Sequence, residues 1–374
     1  MKDLPFDVRD GVAVITLENP PVNGLSHALR SGIVAGLDRA NADPEIRAVV
    51  LIGTGKGFSG GADITEFGKP SAMAAPNLRT VIDIIEANGK PVVAAVHGLA
   101  LGGGLELALG CHYRVASPDA SIGLPEVKLG LLPGAGGTQR FPRAVGLETA
   151  LNMIVSGEPV KSQYLKGLFD EIIEGDLVDG AVAYANSIAD ARPLPQLRTK
   201  RVQHPNPEGF LHVAAMTVQA VAKGYPAPMK CVEAVKAAVS EKFDRGMQVE
   251  LDAFAQLLQS SESASLRHIF FSERATAHIP DVPRDTPTRP IEKAAVLGAG
   301  TMGSGIAMCF AAAGIPVALY EREQAPLERG MGAIQGYFAS RAKKGKMTPE
   351  AAEQKASLVT PTLELSDIGD ADLV

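Results

Sequence analysis

Residues 98–140, which read GLALGGGLELALGCHYRVASPDASIGLPEVKLGLLPGAGGTQR, decide how this chain is interpreted. Two carboxylic acids, Glu106 and Glu126, lie in this stretch among apolar residues and glycines. Glu106 has a leucine on each side and follows three consecutive glycines, so we expect it to be buried in the first turn of a helix. A buried carboxylate must be paired, accept hydrogen bonds from nearby amides or have a raised pKa. Each of these conditions suits a general acid or base.

Each acid also has a purely structural interpretation. Glu106 could be a first-turn glutamate that the helix dipole favours, and Glu126 could be a surface acid paired with Lys128. The triple glycine 102–104 favours a functional site, because it offers backbone amides without side chains at a predicted helix start, where a ligand oxygen can approach closely.

A second glycine-rich loop lies upstream, at residues 53–64. It does not fit the phosphate-binding loop pattern, because Lys56 is followed by glycine and not by serine or threonine. Asp63 and Glu66 form a capping pair, which predicts a helix start directly after Gly60–Gly61. A tight strand-to-helix turn is the structural alternative to a binding loop here.

Four segments together resemble the enoyl-CoA hydratase/isomerase, or crotonase, superfamily. They are NPPVNG from Asn19, GFSGGADI from Gly57, the triple glycine with Glu106, and LPEVKLGLLPGAGGTQR from Leu124. Their order and spacing match the family, and the resemblance covers residues 1–285. It implies an α/β chain with the crotonase fold, a repeated ββα spiral, followed by C-terminal helices.

The resemblance also implies a role for four residues. Glu126 gives a proton to the α-carbon of the substrate, and Glu106 holds and helps to activate a water molecule. The N–H groups of Gly60 and Gly103 donate to the thioester oxygen, where negative charge builds as water attacks the β-carbon; two such amides can contribute several kcal/mol. The implied reaction is hydration of trans-2-enoyl-CoA to (3S)-3-hydroxyacyl-CoA, with a coenzyme A thioester as substrate.

Two alternatives remain open at this stage. A single well-placed acid can also move a proton between C2 and C4, which would give Δ3,Δ2-enoyl-CoA isomerase activity. The chain could instead be a non-catalytic acyl-CoA-binding module, although the presence of both glutamates and both glycines argues against that. His97 and His112 are assigned no catalytic role, because a lone histidine at a strand end is more often structural.

A second recognisable unit follows the proline-rich segment 279–290 and reads AAVLGAGTMGSGIA from Ala294. A strand is predicted before its glycines, a helix after them, and a second strand, Val317–Tyr320, that leads to an acid. This is the context of a Rossmann dinucleotide site, in which the acid binds the ribose hydroxyls and favours NAD over NADP. The predicted cofactor-binding residues are Gly298, Gly300, Gly303 and Glu321.

A crotonase unit followed by the start of a Rossmann domain resembles the multifunctional enzymes of fatty-acid β-oxidation, in which enoyl-CoA hydratase is fused to L-3-hydroxyacyl-CoA dehydrogenase. The expected division is a crotonase core over 1–190, a helical extension and linker over 191–285, and a truncated dehydrogenase portion over 290–374. The family's dehydrogenase uses a histidine base, and no histidine follows His278. We therefore expect the dehydrogenase portion to be inactive here and its NAD binding to be incomplete.

Composition excludes several other classes of protein. Of all residues, 46% are hydrophobic and 21% are charged, and the net charge of -6 gives no support to nucleic-acid binding. Cys111, Cys231 and Cys309 lack the spacing of a metal site or a disulfide framework, so no metal is expected. The N-terminus has no signal-peptide pattern and no apolar run reaches membrane-spanning length. We expect a soluble enzyme, cytoplasmic in a bacterium or peroxisomal in a eukaryote, and both a homo-oligomer and a monomer remain open.

Overall fold

The computed structural model describes residues 3–63, 66, 74–276, 279–283 and 285–374. The chain forms two compact units, Met1–Ala277 and His278–Val374. The helix predicted to start directly after Gly60–Gly61 falls mainly on residues outside these described ranges.

The first unit is organised around two β-sheets. The larger has the strand order β1-β2-β3-β4-β6-β9, in which only the β1–β2 pair is antiparallel, and the smaller has the order β5-β7-β8. The strands are β1 (Phe6–Arg9), β2 (Val12–Leu17), β3 (Ala48–Gly53), β4 (Val92–Val96), β5 (Leu99–Leu101), β6 (Tyr113–Ala116), β7 (Ser121–Gly123), β8 (Val160–Lys161) and β9 (Glu171–Ile172). Regular helix ends before β8 at Gly157, which has a φ of 66°, an angle that favours glycine at the C-terminus of a helix.

Helices cover both faces of the larger sheet. They are α1 (His27–Ala42), α2 (Leu78–Glu86), α3 (Gly103–Gly110), α4 (Gly137–Val145), α5 (Leu147–Ser156), α6 (Leu177–Ser187), α7 (Pro207–Val221), α8 (Pro226–Ser240), α9 (Phe243–Leu258) and α10 (Ser261–Thr276). Along β3, Val49 and Leu51 pack into one apolar cluster, whereas Val50 and Ile52 pack into the other with helix α6. The alternation explains why β3 is apolar at almost every position, as its sequence predicts.

The helical extension belongs to the same compact unit as the core. Cys231 and Val235 of α8 and Leu257 of α9 are buried in the cluster that contains Leu51. Two of the extension's helices therefore complete the main core, and α9 brings a side chain to the candidate site described below.

The second unit is a parallel three-stranded sheet in the order β10-β11-β12. Its elements are β10 (Ala294–Leu297), α11 (Thr301–Ala313), β11 (Val317–Tyr320), α12 (Gln324–Lys343), α13 (Pro349–Ser357) and β12 (Val359–Thr362). The predicted strand, glycine turn, helix and second strand are thus all present. Leu373 forms an isolated parallel bridge with Ala294.

Candidate active site

Glu106 is held at the start of α3 by the glycines before it. Gly102 has φ +51°, which an L side chain rarely adopts, and its carbonyl accepts the Glu106 N–H at 3.0 Å. The residue is 3% exposed, and its Oε1 accepts the N–H groups of Ala135 and Gly137 at 2.7 and 2.8 Å. Burial raises the pKa of Glu106, while the two amides and the positive charge of Arg140 oppose that rise.

Glu126 lies in a short 3-10 helix, Pro125–Leu129, that follows β7. Its Oε2 is fully buried and has no hydrogen-bond partner among the described residues. Burial, and after it the negative charge of Glu106, raise the pKa of Glu126 well above its usual range. The surface pairing with Lys128 does not form, because Lys128 Nζ binds Glu158 at 2.9 Å instead.

Gly102 also brings the second acid close to the start of α3. A Cβ at Gly102 would lie 2.8 Å from Glu126 Oε1. The main chain of α3 and the Glu126 carboxylate therefore approach each other in a way that only glycine permits.

We expect Gly102→Ala to displace the Glu126 carboxylate and to add backbone strain of about 1–3 kcal/mol. Turnover of an enoyl thioester should fall at least about tenfold. The matched control is Gly89→Ala, because nothing lies within 4 Å of a Cβ at Gly89 and its φ is not positive. Steady-state rates of the two variants would decide, and parent-like turnover of Gly102→Ala would refute the close approach.

The amide donors require one correction. The Gly60 N–H donates to the carbonyl of Val22 at 2.7 Å, so it is already occupied and the predicted role for Gly60 is wrong. Ala62 lies two residues further on and forms an isolated parallel bridge with Leu25. In this bridge the Leu25 N–H donates to the Gly61 carbonyl, so the bond does not use the Ala62 N–H. Within the described part of the chain, neither the Ala62 N–H nor the Gly103 N–H has a hydrogen-bond partner.

These two N–H groups lie side by side. A Cβ at Gly103 would be 3.0 Å from the Ala62 nitrogen, and a Cβ at Gly61 would be 3.2 Å from the Gly103 nitrogen. The bridge between Ser59 and Ala100 aligns the loop that carries Ala62 with β5 and the start of α3. Two neighbouring backbone donors without partners are what an oxyanion site requires.

Glu250, on α9 of the helical extension, is a further buried acid near Glu106 and is not among the residues predicted for the site. It is 0% exposed, and burial and the negative charge of Glu106 raise its pKa to about 8. A signal was present, since Glu250 stands between Val249 and Leu251 just as Glu106 stands between two leucines. The helical pattern around Glu250 is ordinary and does not distinguish it from a surface acid.

A buried ion pair supports the same region. Arg140 and Glu86 are 1% and 3% exposed, and the Arg140 guanidinium binds both oxygens of Glu86 at 3.0 and 2.7 Å. Arg140 Nη1 also donates to the Ala135 carbonyl at 3.2 Å. The last residue of the motif thus fixes the loop that binds Glu106.

His112 has a structural environment, and burial lowers the pKa of both histidines near the core. His112 is buried, its Nδ1 accepts the Val92 N–H at 3.1 Å, and burial lowers its pKa. Burial also lowers the pKa of His97. Both histidines therefore favour the neutral form.

In the second unit, the glycines form a turn with room for a ligand. Gly298 has φ +99°, nothing lies within 4 Å of a Cβ at Gly300, and α11 begins without a side-chain cap. Glu321 follows β11, and its Oε2 accepts the Ala299 N–H at 3.0 Å. Uncapped N–H groups and a nearby acid fit the pyrophosphate and ribose of a dinucleotide.

Gly303 is required for packing of the same turn. A Cβ there would lie 1.7 Å from the Gly298 carbonyl oxygen, which is backbone and cannot swing away. We expect Gly303→Ala to destabilise the second unit by about 1–3 kcal/mol. Hydrogen exchange of peptides from β10 and β11 measures this, with Gly305→Ala on the same helix as the control because a Cβ there meets nothing within 4 Å. Equal protection in the two variants would contradict the packing account.

The described residues offer neither a metal-binding cluster nor a membrane-spanning helix. No group of three or more histidine, cysteine, aspartate or glutamate side chains is arranged to hold a metal ion there. No helix within the described ranges is long and apolar enough to cross a membrane.

Buried carboxylates beside paired amide donors, on an α/β core that is joined to a dinucleotide-binding βαβ unit, define an acid–base enzyme with an appended nucleotide domain. The chain belongs to the enoyl-CoA hydratase/isomerase family, which matches residues 7–205. Residues 293–374 match the NAD binding domain of 3-hydroxyacyl-CoA dehydrogenase. The predicted family, fold class and fusion are confirmed.

Known proteins resemble both parts together. The chain is 42% identical to the peroxisomal bifunctional enzyme of Danio rerio, over 98% of this chain and 51% of that protein. It is 38% identical to a peroxisomal fatty acid beta-oxidation multifunctional protein of Arabidopsis thaliana, over 98% of this chain and 53% of that one. The chain therefore spans about half the length of these relatives. A carnitinyl-CoA hydratase from Mycobacterium avium has a similar structure, with TM-score 0.53 and 29% identity over 73% of this chain and 97% of that chain.

Proposed function

We propose that the first unit hydrates trans-2-enoyl-CoA to (3S)-3-hydroxyacyl-CoA. The observation that carries this proposal is the buried, unpartnered Oε2 of Glu126 beside the second buried acid, Glu106. The raised pKa of Glu126 favours the protonated form of this carboxyl group, which a proton donor to carbon requires.

The geometry suggests how the remaining groups share the reaction. The N–H groups of Ala62 and Gly103 would bind the thioester oxygen as negative charge develops on it. Both loop amides bind Oε1 of Glu106, which leaves Oε2 to accept a proton from water. Water oxygen then bonds to the β-carbon, its proton passes to Glu106, and the α-carbon takes the proton of Glu126.

Isotope labelling tests the reaction directly. The chain is incubated with crotonyl-CoA in water enriched in heavy oxygen, and the product is analysed by mass spectrometry. We expect one heavy oxygen at the β-carbon. A product without the label, or no product at all, would refute hydration.

Isomerisation of 3-enoyl-CoA to 2-enoyl-CoA is a second candidate. It is favoured by the same unpartnered oxygen of Glu126, which can take a proton from C2 and return one to C4. A 3-enoyl thioester supplied in place of crotonyl-CoA tests it, with the conjugated 2-enoyl product as the readout. A non-catalytic acyl-CoA-binding module would bind either ester without turnover.

The appended unit suggests the role of the whole protein. Gly298, Gly300, Gly303 and Glu321 would hold NAD, which accepts hydride when bound. A protein of the relatives' full length would oxidise the 3-hydroxyacyl-CoA product. The names of the relatives support a place in fatty-acid β-oxidation, and in the peroxisome if the source is a eukaryote. In a bacterium, the cytoplasm remains the expected location. Titration of the chain with NAD under fluorescence or calorimetric detection measures how much binding the appended unit retains.

A further inference from the structure

Residues 135–138 form a loop that runs into the first turn of α4, and this 135–138 loop hydrogen-bonds to two buried carboxylates in alternation. Ala135 and Gly137 donate their N–H groups to Glu106, as described above. Gly136 donates to Oε1 of Glu250 at 2.7 Å, and Thr138 donates to its Oε2 at 2.9 Å. Four successive amides therefore point alternately to one acid and to the other.

The bond between Glu250 and Thr138 is reinforced by side chains. Thr138 Oγ1 donates to Glu250 Oε2 at 2.6 Å and accepts from Gln139 Nε2 at 2.9 Å. Gln139 Nε2 also donates to the Ala234 carbonyl on α8 at 2.8 Å. Thr138, Gln139 and Glu250 are all 0% exposed, so each bond lies in a dry environment where its loss is costly.

The loop has little freedom to adopt another shape. Gly136 has φ +103°, and a Cβ there would lie 1.9 Å from Arg140 Nη1. A Cβ at Gly137 would lie 2.7 Å from Pro133 Cβ and 2.9 Å from Glu106 Oε1. With the two glycines packed this closely, the bonds to Glu250 set the direction in which the other two amides face Glu106.

We propose that Glu250 is a positioning residue of the hydratase site, which fixes the 135–138 loop so that Glu106 presents one oxygen to the attacking water. This inference rests on the proposed function, and it gives the helical extension a part in the chemistry. Glu250 does not touch the substrate in this scheme; it acts through the loop and, above its own pKa of about 8, also through its charge.

Glu250→Gln keeps the size of the side chain but places an amide NH2 against either the Gly136 donor or the Thr138 donors, so at least one bond is lost. We expect kcat for crotonyl-CoA to fall about ten- to a hundredfold with KM little changed, because the water-holding group is misplaced while the thioester site is not. The alkaline limb of the kcat profile should also move to lower pH, since the Glu250 charge helps to raise the pKa of Glu126. If Glu250 only stabilised the fold, kcat would not fall at constant KM and the alkaline limb of its pH profile would not move.

The matched control is Asp252→Asn, an acid-to-amide change at an exposed position of the same helix. A readout that needs no activity separates this inference from the proposed function. In hydrogen exchange, the peptide that contains residues 135–138 should exchange faster in Glu250→Gln and unchanged in Asp252→Asn. If the parent chain does not hydrate crotonyl-CoA, the proposed function fails, yet the exchange result still decides the role of Glu250 in the loop.

Thr138→Val provides a second route if Glu250→Gln does not fold. It removes the hydroxyl donor to Glu250 at similar volume, and we expect a severalfold loss of kcat with faster exchange of the loop. Parent-like kcat, together with unchanged exchange of the loop in a folded Glu250→Gln or Thr138→Val variant, would overturn the proposal.

Discussion

Glu126→Gln should lower the rate of crotonyl-CoA hydration by at least about two orders of magnitude. The variant keeps the shape of the side chain but replaces its acidic proton by an amide that cannot protonate carbon. Because the carboxyl group is buried with a raised pKa, its replacement by a neutral amide also removes a group that is costly to ionise, so the fold should be retained or slightly stabilised at alkaline pH. Rates come from the decrease in absorbance of the conjugated thioester, and stability from thermal unfolding.

The control for this variant is Glu158→Gln, in which an exposed acid bound to Lys128 is changed in the same way. Its turnover should equal that of the parent. Residual activity above about a tenth of the parent rate in Glu126→Gln would mean that another group supplies the proton.

Glu106→Gln should lower hydration by a similar factor for a different reason. The glutamine Oε1 can still accept the Ala135 and Gly137 amides, so the loop should stay in place, but the NH2 group that replaces the other oxygen cannot accept a proton from water. We therefore expect kcat to fall at least about a hundredfold while the dissociation constant of a saturated acyl-CoA changes less than about twofold. Stopped-flow or steady-state rates and calorimetry measure the two quantities.

The outcome that would contradict this account is a large loss of acyl-CoA binding in Glu106→Gln with kcat preserved. Such a result would make Glu106 a binding group and leave water activation to another residue. Loss of both quantities together with a lower unfolding temperature would show that the amide bonds to the loop were broken.

The pH dependence of stability follows from the raised pKa values of Glu106, Glu126 and Glu250. Glu250 has its folded pKa raised from 4.5 to about 8, so the folded state holds the proton more tightly than the unfolded state. Its contribution to stability is therefore fully present below the unfolded pKa and is lost as pH rises from about 4.5 to about 8. Glu106 and Glu126 contribute with the same sign, because their pKa values are also raised.

Much of the fold could be predicted because its signals are local. The β-branched run that forms β2, the four-residue spacing of α1 and the glycine turn before α11 each depend on neighbouring residues. Burial of Glu106 was predictable too, since leucines flank it and glycines precede it. The short strands β8 and β9 could not be predicted, because a strand of two residues is too short to show an alternating pattern of apolar and polar residues.

The candidate site was predictable only in part because its geometry comes from distant segments. Glu250 is 144 positions from Glu106 in the sequence and 112 from Thr138, and only packing of α9 onto the core brings these groups together. Ala62 replaces Gly60 as the expected amide donor because of one hydrogen bond, from the Gly60 N–H to the Val22 carbonyl. No sequence motif encodes that bond.

The most direct test is the absorbance of crotonyl-CoA after the purified, unmutated chain is added. If the first unit is a hydratase, absorbance of the conjugated thioester falls to an equilibrium value at a rate proportional to the concentration of the chain. Binding of the ester with constant absorbance would contradict the central claim, and would leave isomerisation or acyl-CoA binding without turnover as the function of the site.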